Sequence, residues 1–488
     1  MSLSRPFATA PRFAVVLACA AATPLAAQQT LTLSDAVRIA QERGSEALAA
    51  RAALDAARYR GRAFSSRLLP QLTLGGTVPA YNRSIIPVVQ PDGSTLFRPQ
   101  QQTNASLNMT LSQTLPFTGG NLFVSSSLAR LTVSGQQDIE TWSSTPIAIG
   151  IRQEILRPNT SGWDQREQDV RTERDERLYG EALEDIALRI ADLFFDVYAA
   201  RVARDNAVTN AAINDTLYTL NTGRYEVGRI GENDLLQSEL ALLRSRTTLD
   251  GARLEYERAI AALRLALNLP PDTPIDVDVP TMVPAIVVDT ARAAAEALQN
   301  RAAVTDVELL DVQARRRVTE AKLAGGPGAT VQATYGWNAT APDASLAYRD
   351  LLEQQQFTLS VQVPLWRWGA HGEAVRAAEA DHERAEHLAE AALKQTAHDA
   401  RFAALQLMQA ERNVGLTAKA DTVATKRFEV AYNRYVIGRI SIDNLYLAQG
   451  EKDQAVTQFV QALRNYWQAY YRLRRTTLFD FETGRPIR

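Results

Sequence analysis

Two spacings of apolar residues alternate along the chain. The first recurs at three and four. Leu183, Ile186, Ala187, Ile190, Phe194, Val197 and Tyr198 fall on one face of a helix predicted over about 163–225. Ser34 predicts an N-cap, with Ala36, Val37, Ile39 and Ala40 behind it, and helix-forming composition continues to about Arg67. Further helices are predicted over about 232–267, 290–324, 369–434 and 442–475. Asn268-Leu269-Pro270-Pro271-Asp272-Thr273-Pro274 breaks the helical pattern. A helix of about 60 residues is about 90 Å long. A pattern of that length without internal caps predicts a coiled coil or a helical repeat.

The second spacing is two. Ala105, Leu107, Met109, Leu111 and Leu115 alternate with Ser106, Asn108, Thr110, Ser112 and Thr114. Ile147, Ile149, Ile151 and Ile155 form another set, as do Ala329, Val331, Ala333, Tyr335 and Trp337. Phe357, Leu359, Val361, Val363 and Leu365 alternate with Thr358, Ser360, Gln362 and Pro364, and weaker runs cover 72–78 and 122–128. Their polar faces are nearly all Ser, Thr, Asn and Gln. A soluble sandwich gives the same alternation but usually carries Lys and Glu outside. Trp142, Trp163, Trp337, Trp366 and Trp368 lie in or beside these runs, as the aromatic belts of a membrane barrel require.

Composition narrows the class. The 488 residues are 46% hydrophobic and 22% charged, so the chain is not disordered by composition. Its 53 basic and 55 acidic residues lack the basic excess of a nucleic-acid binder. Residues 1–27 read as a secretory signal peptide: Arg5 and Arg12, an apolar stretch, then small residues before a cleavage site. Its loss would leave 51 basic against 55 acidic residues, a net charge of −4. Cys19, the single cysteine, lies inside it in an imperfect lipoprotein box, Val16-Leu17-Ala18-Cys19. If it is removed, no disulfide or zinc-thiolate site remains. Beyond the signal no apolar run reaches 18 residues, so a spanning helix is not expected.

The chain is read as one plan used twice. Arg224-Tyr225-Glu226-Val227-Gly228-Arg229-Ile230 recurs as Arg434-Tyr435-Val436-Ile437-Gly438-Arg439-Ile440, a shift of 210. Ile151 matches Val361 and Ile155 matches Leu365 at the same shift. The first repeat is 28–270, with strands in about 69–157 and a helix hairpin at 163–268. A linker, 271–289, leads to the second repeat, 290–478, with strands in 328–366 and a hairpin at 369–475; 479–488 is a tail. The stretch 72–151 spans 79 residues where 331–361 spans 30. Pro116-Phe117-Thr118-Gly119-Gly120-Asn121 supplies a turn within the surplus, read as an extra hairpin and hence six strands. Neither four nor six strands close a barrel, and open edges do not survive in lipid. Closure therefore calls for several chains.

This layout resembles the TolC-type outer-membrane efflux family over nearly the whole mature chain. The resemblance rests on the duplicated Tyr-x-Val/Ile-Gly-x-Ile tips, the Val361-Gln362-Val363-Pro364-Leu365 strand end and the start Leu33-Ser34-Asp35-Ala36-Val37. It implies a mainly α fold: a homotrimer with a shared transmembrane β-barrel and a periplasmic tunnel of antiparallel coiled-coil helices. An equatorial belt would take in the 271–289 linker and the C-terminus. It also implies a periplasmic adaptor and an inner-membrane pump as partners, outer-membrane lipid around the barrel, and passive export in efflux or type I secretion. By that analogy Val227, Gly228, Ile230, Ile437, Gly438 and Ile440 form the adaptor-facing tip. The glycines also simply permit the turn, and both roles can coexist. A periplasmic gate would draw on Asp234, Tyr435, Asp443 and Asn444. The pattern departs there: Asn444 replaces the second-repeat aspartate and Ile440 the basic link. Asp443 either forms a carboxylate ring or sits solvated. The usual member has four strands per subunit and twelve in all. Six per subunit would give eighteen, unless the extra hairpin folds outside the wall.

No chemistry-bearing constellation appears, so neither an enzyme nor a cofactor is expected. His382 and His387 are five apart on a helix that also carries His371 and His398. Five residues rotate about 140°, so the two rings cannot grip one ion. Gly325-Gly326-Pro327-Gly328 lacks the GK[ST] of a phosphate loop. The charged run 164–181 reads as a solvated helix face. The competing reading is a soluble periplasmic coiled-coil scaffold, which predicts charged outer strand faces.

Overall fold

The computed structural model describes residues 30–134, 138–279 and 281–487. The signal-peptide reading, Cys19 included, falls on residues outside that range. The chain begins with strand β1 (Thr30–Thr32) and helices α1 (Leu33–Arg43) and α2 (Ser45–Arg67). Four strands follow: β2 (Gln71–Val89), β3 (Thr95–Leu115), β4 (Gly120–Ser134) and β5 (Ile139–Ile155). Then come α3 (Thr160–Glu226), α4 (Glu232–Ala266) and β6 (Asp276–Asp278), which pairs in parallel with β1. The remainder reads α5 (Thr290–Asn300), α6 (Ala302–Ala324), β7 (Gly328–Ala341), β8 (Leu352–Gln362), α7 (Ala370–Val436) and α8 (Ile442–Thr477). A closing hairpin is made by β9 (Phe479–Asp480) and β10 (Arg485–Pro486).

Local chemistry sets the element ends. Thr32, not Ser34, caps α1: its hydroxyl accepts from the Asp35 amide at 3.2 Å. Ser34 lies inside the first turn of α1, one residue past its start. The predicted single helices ending at Arg67 and Ala324 are each broken by one extended residue, Gly44 and Arg301. At Gly44 a Cβ would sit 2.5 Å from the Ala40 carbonyl oxygen, so only glycine fits. At Arg301 the buried Glu181 carboxylate takes the Ala302 amide at 3.0 Å and the Arg301 guanidinium at 3.3 Å. That acceptor on α3 opens α6 as a side-chain cap would. The predicted strand through Leu365 stops instead at Gln362, just before Pro364, which has no amide to donate.

α3 and α7 are 67 residues each, about 100 Å long. α3 packs on α4 and α8, and α7 on α8, α5 and α6. The main core gathers Phe194, Phe195, Leu263, Leu463 and Tyr466 where α3, α4 and α8 meet. A second, small cluster of Leu217, Phe428, Tyr435, Ile442 and Leu445 lies toward the helix tips.

Six strands form one antiparallel sheet in the order β2-β3-β4-β5-β7-β8. Among the described elements, the strands contact one another and a 3-10 turn at Leu346–Tyr348; no helix makes more than marginal contact with them.

Candidate functional site: the exposed sheet and the helical tip

Cross-strand register carries one apolar face through the whole sheet. Leu72 faces Leu111, Leu111 faces Val124, Val124 faces Ile149, and Ile149 faces Tyr335. On β8 the same face presents Phe357, Leu359 and Val361. The opposite face is uncharged and polar in its middle: Thr110, Ser125, Thr334 and Thr358. Leu74 is 74% exposed and Phe357 71%. So large an apolar face, left bare by its own chain, marks a surface meant for something other than water.

Tryptophans bracket the face. Trp337 lies opposite Glu353, nine residues before the β8 end at Gln362. At about 3.4 Å per residue and a tilt of about 40°, that run spans about 23 Å, close to the height of a membrane band. Trp366 and Trp368 follow, exposed and edge to face with ring centres 5.2 Å apart. Trp142 stacks under Arg130 at the far end, where Arg130 also pairs with Glu140.

The other end of the molecule is the tip. Gly228 (φ 70°) and Gly438 (φ 74°) occupy the left-handed region just past the ends of α3 and α7. Each makes the same two bonds. Gly228 N donates to Tyr225 O at 2.8 Å, and Arg229 N to Arg224 O at 2.8 Å. Gly438 N donates to Tyr435 O at 2.9 Å, and Arg439 N to Arg434 O at 2.8 Å. This closure uses otherwise unpaired helix-end carbonyls and requires a residue that tolerates positive φ. Val227 and Ile437 stand out from the turns, 68% and 63% exposed. Ile230 and Ile440 are half-buried, Ile440 against the small tip cluster.

The residues singled out for a gate differ in their surroundings. Tyr435 is buried, and its hydroxyl donates to Asn221 Oδ1 at 2.7 Å. Arg224 lies over its ring at 5.2 Å and donates to Val436 O at 2.8 Å. Tyr435 thus ties α7 to α3 within one chain rather than facing outward. Asp443 is exposed and accepts from Gln237 Nε2 at 2.7 Å. Asn444 bonds Ser441 at 3.0 Å, and Asp234 is half-buried in the first turn of α4, where the helix N-terminus favours an acid.

Sequence reasoning passed over Asn221, the contact between Arg224 and Tyr435, and a polar layer between the two clusters. Asn210 Nδ2 donates to Asp453 Oδ2 at 2.7 Å, while Asn210 Oδ1, Asn214 Oδ1, Asp453 Oδ1 and the Tyr446 hydroxyl have no partner among the described residues. Burial raises the Asp453 carboxyl, which Asn210 only partly offsets, and pushes the Tyr446 phenol up to about 12. The signal was present: Ala207, Asn210, Asn214, Leu217 and Asn221 follow a three-four heptad spacing, with asparagine in core positions. The histidines do not converge. His382 lies 3.6 Å from Asp311, and His398 stacks on Phe402.

No family model matches the chain, and no curated protein matches it. Solved structures do. The Campylobacter jejuni CmeC outer membrane channel is 15% identical at TM-score 0.65, covering 93% of this chain and 86% of its own. The Vibrio cholerae outer membrane protein VceC is 13% identical at 0.64, covering 93% and 97%. The Neisseria gonorrhoeae MtrE channel in its open state is 14% identical at 0.63, covering 93% and 89%. The fold is therefore that of the outer-membrane channel proteins, mainly helical with a separate sheet. These three bacterial outer-membrane proteins share it over almost their full length.

Proposed function

We propose that the chain is a TolC-type outer-membrane exit duct. Substrates pass unchanged from an inner-membrane pump, through a periplasmic adaptor, to the outside, in efflux or type I secretion. It works as a homotrimer, its barrel in the outer membrane and its helices in the periplasm.

One observation carries the reading. A sheet with one continuous apolar face stands bare on long paired helices, bounded by tryptophans at a membrane's spacing. A soluble scaffold has no use for such a face. The open edges of β2 and β8 support assembly from several copies. Equal element lengths support an internal duplication: 67 residues for α3 and α7, 23 for α2 and α6, 11 for α1 and α5. The glycine turns, with Val227 and Ile437 exposed beside them, suit the adaptor-facing end.

Fractionating membranes and weighing the native oligomer tests this. Detergent-dependent recovery from the outer membrane as a trimer is expected; a monomer soluble without detergent would sink the reading.

A further inference from the structure

We propose that three copies close an eighteen-stranded barrel by pairing β8 of each with β2 of the next, the inserted hairpin forming part of the wall. This rests on the trimeric duct reading and goes beyond it in strand number and in the contact that seals the wall.

The insertion can be located by offset. α2 and α6 are related by 257 residues, as are the first residues of β2 and β7, Gln71 and Gly328. After the strands, α3 and α7 are related by 210. The offset thus falls by 47 residues across the sheet, so the first half carries 47 more, and β3 and β4 are the pair without counterparts. They do not hang at an edge. β3 bonds β2 on one side and β4 on the other, and β4 bonds β5. Any wall that includes both β2 and β5 therefore includes the inserted hairpin.

The hairpin also matches the wall chemically. Leu107, Met109, Leu111 and Val124 share the apolar face with Leu72 and Ile149, and Ser106, Asn108 and Thr110 lie on the uncharged polar face. A hairpin folding outside lipid has no need of that segregation.

The edges suit each other. With an even number of antiparallel strands, β2 and β8 run in opposite directions, so their junction continues the antiparallel ladder. Both meet the helical end at the same level, because Gly328 of β7, the counterpart of Gln71, pairs with Gln362 of β8. Setting Leu72 opposite Val361 and Leu74 opposite Leu359 keeps every apolar residue on one side. Unpaired edges are intolerable in lipid, and a second copy offers the complementary one.

Barrel diameter grows with strand number. At about 4.8 Å between strands and about 40° tilt, eighteen strands give about 36 Å across the backbone, against about 24 Å for twelve. The mouth is then wide, and selection belongs to the helical tip.

The test uses the full chain carrying Thr73→Cys on β2 and Ser360→Cys on β8, in outer-membrane vesicles treated with a bifunctional thiol linker. Most of the chain should shift to covalent dimers and trimers that survive boiling in detergent. Either single substitution, which controls for Cys19, should give none. If the hairpin lies outside the wall, β2 meets β5 directly. Thr73→Cys with Arg152→Cys would then link within one chain, overturning the eighteen-strand wall even if the first pair still links between copies. No product from the first pair in an outer-membrane trimer would overturn the β8–β2 seal. A native mass of two copies with the first pair linked would mean twelve strands and also overturn it. Absence of an outer-membrane trimer would sink the duct reading itself, whatever the linker shows.

Discussion

The Tyr435 hydroxyl donates to Asn221 Oδ1 at 2.7 Å in a buried site, joining two helices near their ends through residues 214 apart in sequence. Asn221 Nδ2 has no partner of its own. Tyr435→Phe would leave the whole amide unpaired, a loss of about 1–3 kcal/mol. Thermal unfolding should fall accordingly, and protease should cut the tip faster. Asn221→Leu in the same chain should recover part of the loss, since removing both polar partners is nearly neutral.

The two glycine turns give a sharper result. Replacing Gly228 and Gly438 by Val forces a β-branched residue into the left-handed region, at about 1–2 kcal/mol each. Among the described residues, nothing but the chain neighbours lies within 4 Å of where a Cβ would sit at either glycine, so the effect is conformational rather than steric. Membrane insertion should survive and export fail, read by trimer recovery and substrate accumulation together.

Asp453 sets a pH dependence in the polar layer. Burial raises its carboxyl above the ordinary value of 3.8. A proton held more tightly in the folded chain stabilises it fully below that value and does so less as pH rises through the folded pKa. Ionising the buried group is therefore unfavourable, with Asn210 Oδ1 still lacking a donor. Asp453→Asn supplies that donor and removes the charge. It should raise stability near neutral pH by about 1 kcal/mol and flatten the profile above the carboxylate range.

The sheet's two faces should respond oppositely to charge. Leu359→Arg places a cation on the apolar face, at about 2–4 kcal/mol mid-membrane. Ser360→Arg, one residue on, faces the polar side. Folding into lipid vesicles should fail for the first and proceed for the second; equal behaviour would remove the lipid-facing assignment.

Glu184, 1% exposed, takes two bonds from Arg474, at 3.0 and 3.1 Å. Burial raises its carboxyl despite the arginine. Glu184→Gln would leave the half-buried Arg474 short of its main counter-charge, at about 3–5 kcal/mol. Urea unfolding should report it, with Glu184→Met plus Arg474→Met recovering much of the loss.

The long helices were legible because their period persists over many turns. The strands were read too short. β2 and β3 run 19 and 21 residues, but their outer halves carry Arg83, Pro87, Pro99 and three consecutive glutamines, which erase the alternation. The breaks at Gly44 and Arg301 were invisible because one extended residue hardly disturbs a heptad. The Arg301 break also depends on Glu181, a partner 120 residues away. The tip glycines were plain from their duplication. The Tyr435–Asn221 bond was not, since pairing between hairpins is a tertiary fact that neither helix announces.

The bare edges of β2 and β8 bear on what happens before assembly. A freshly exported copy offers a ready template on either flank, open to any stray extended segment it meets. Its life as a single molecule must therefore be short or escorted. Overproducing it faster than its copies find one another should yield inclusion deposits before it yields idle soluble protein.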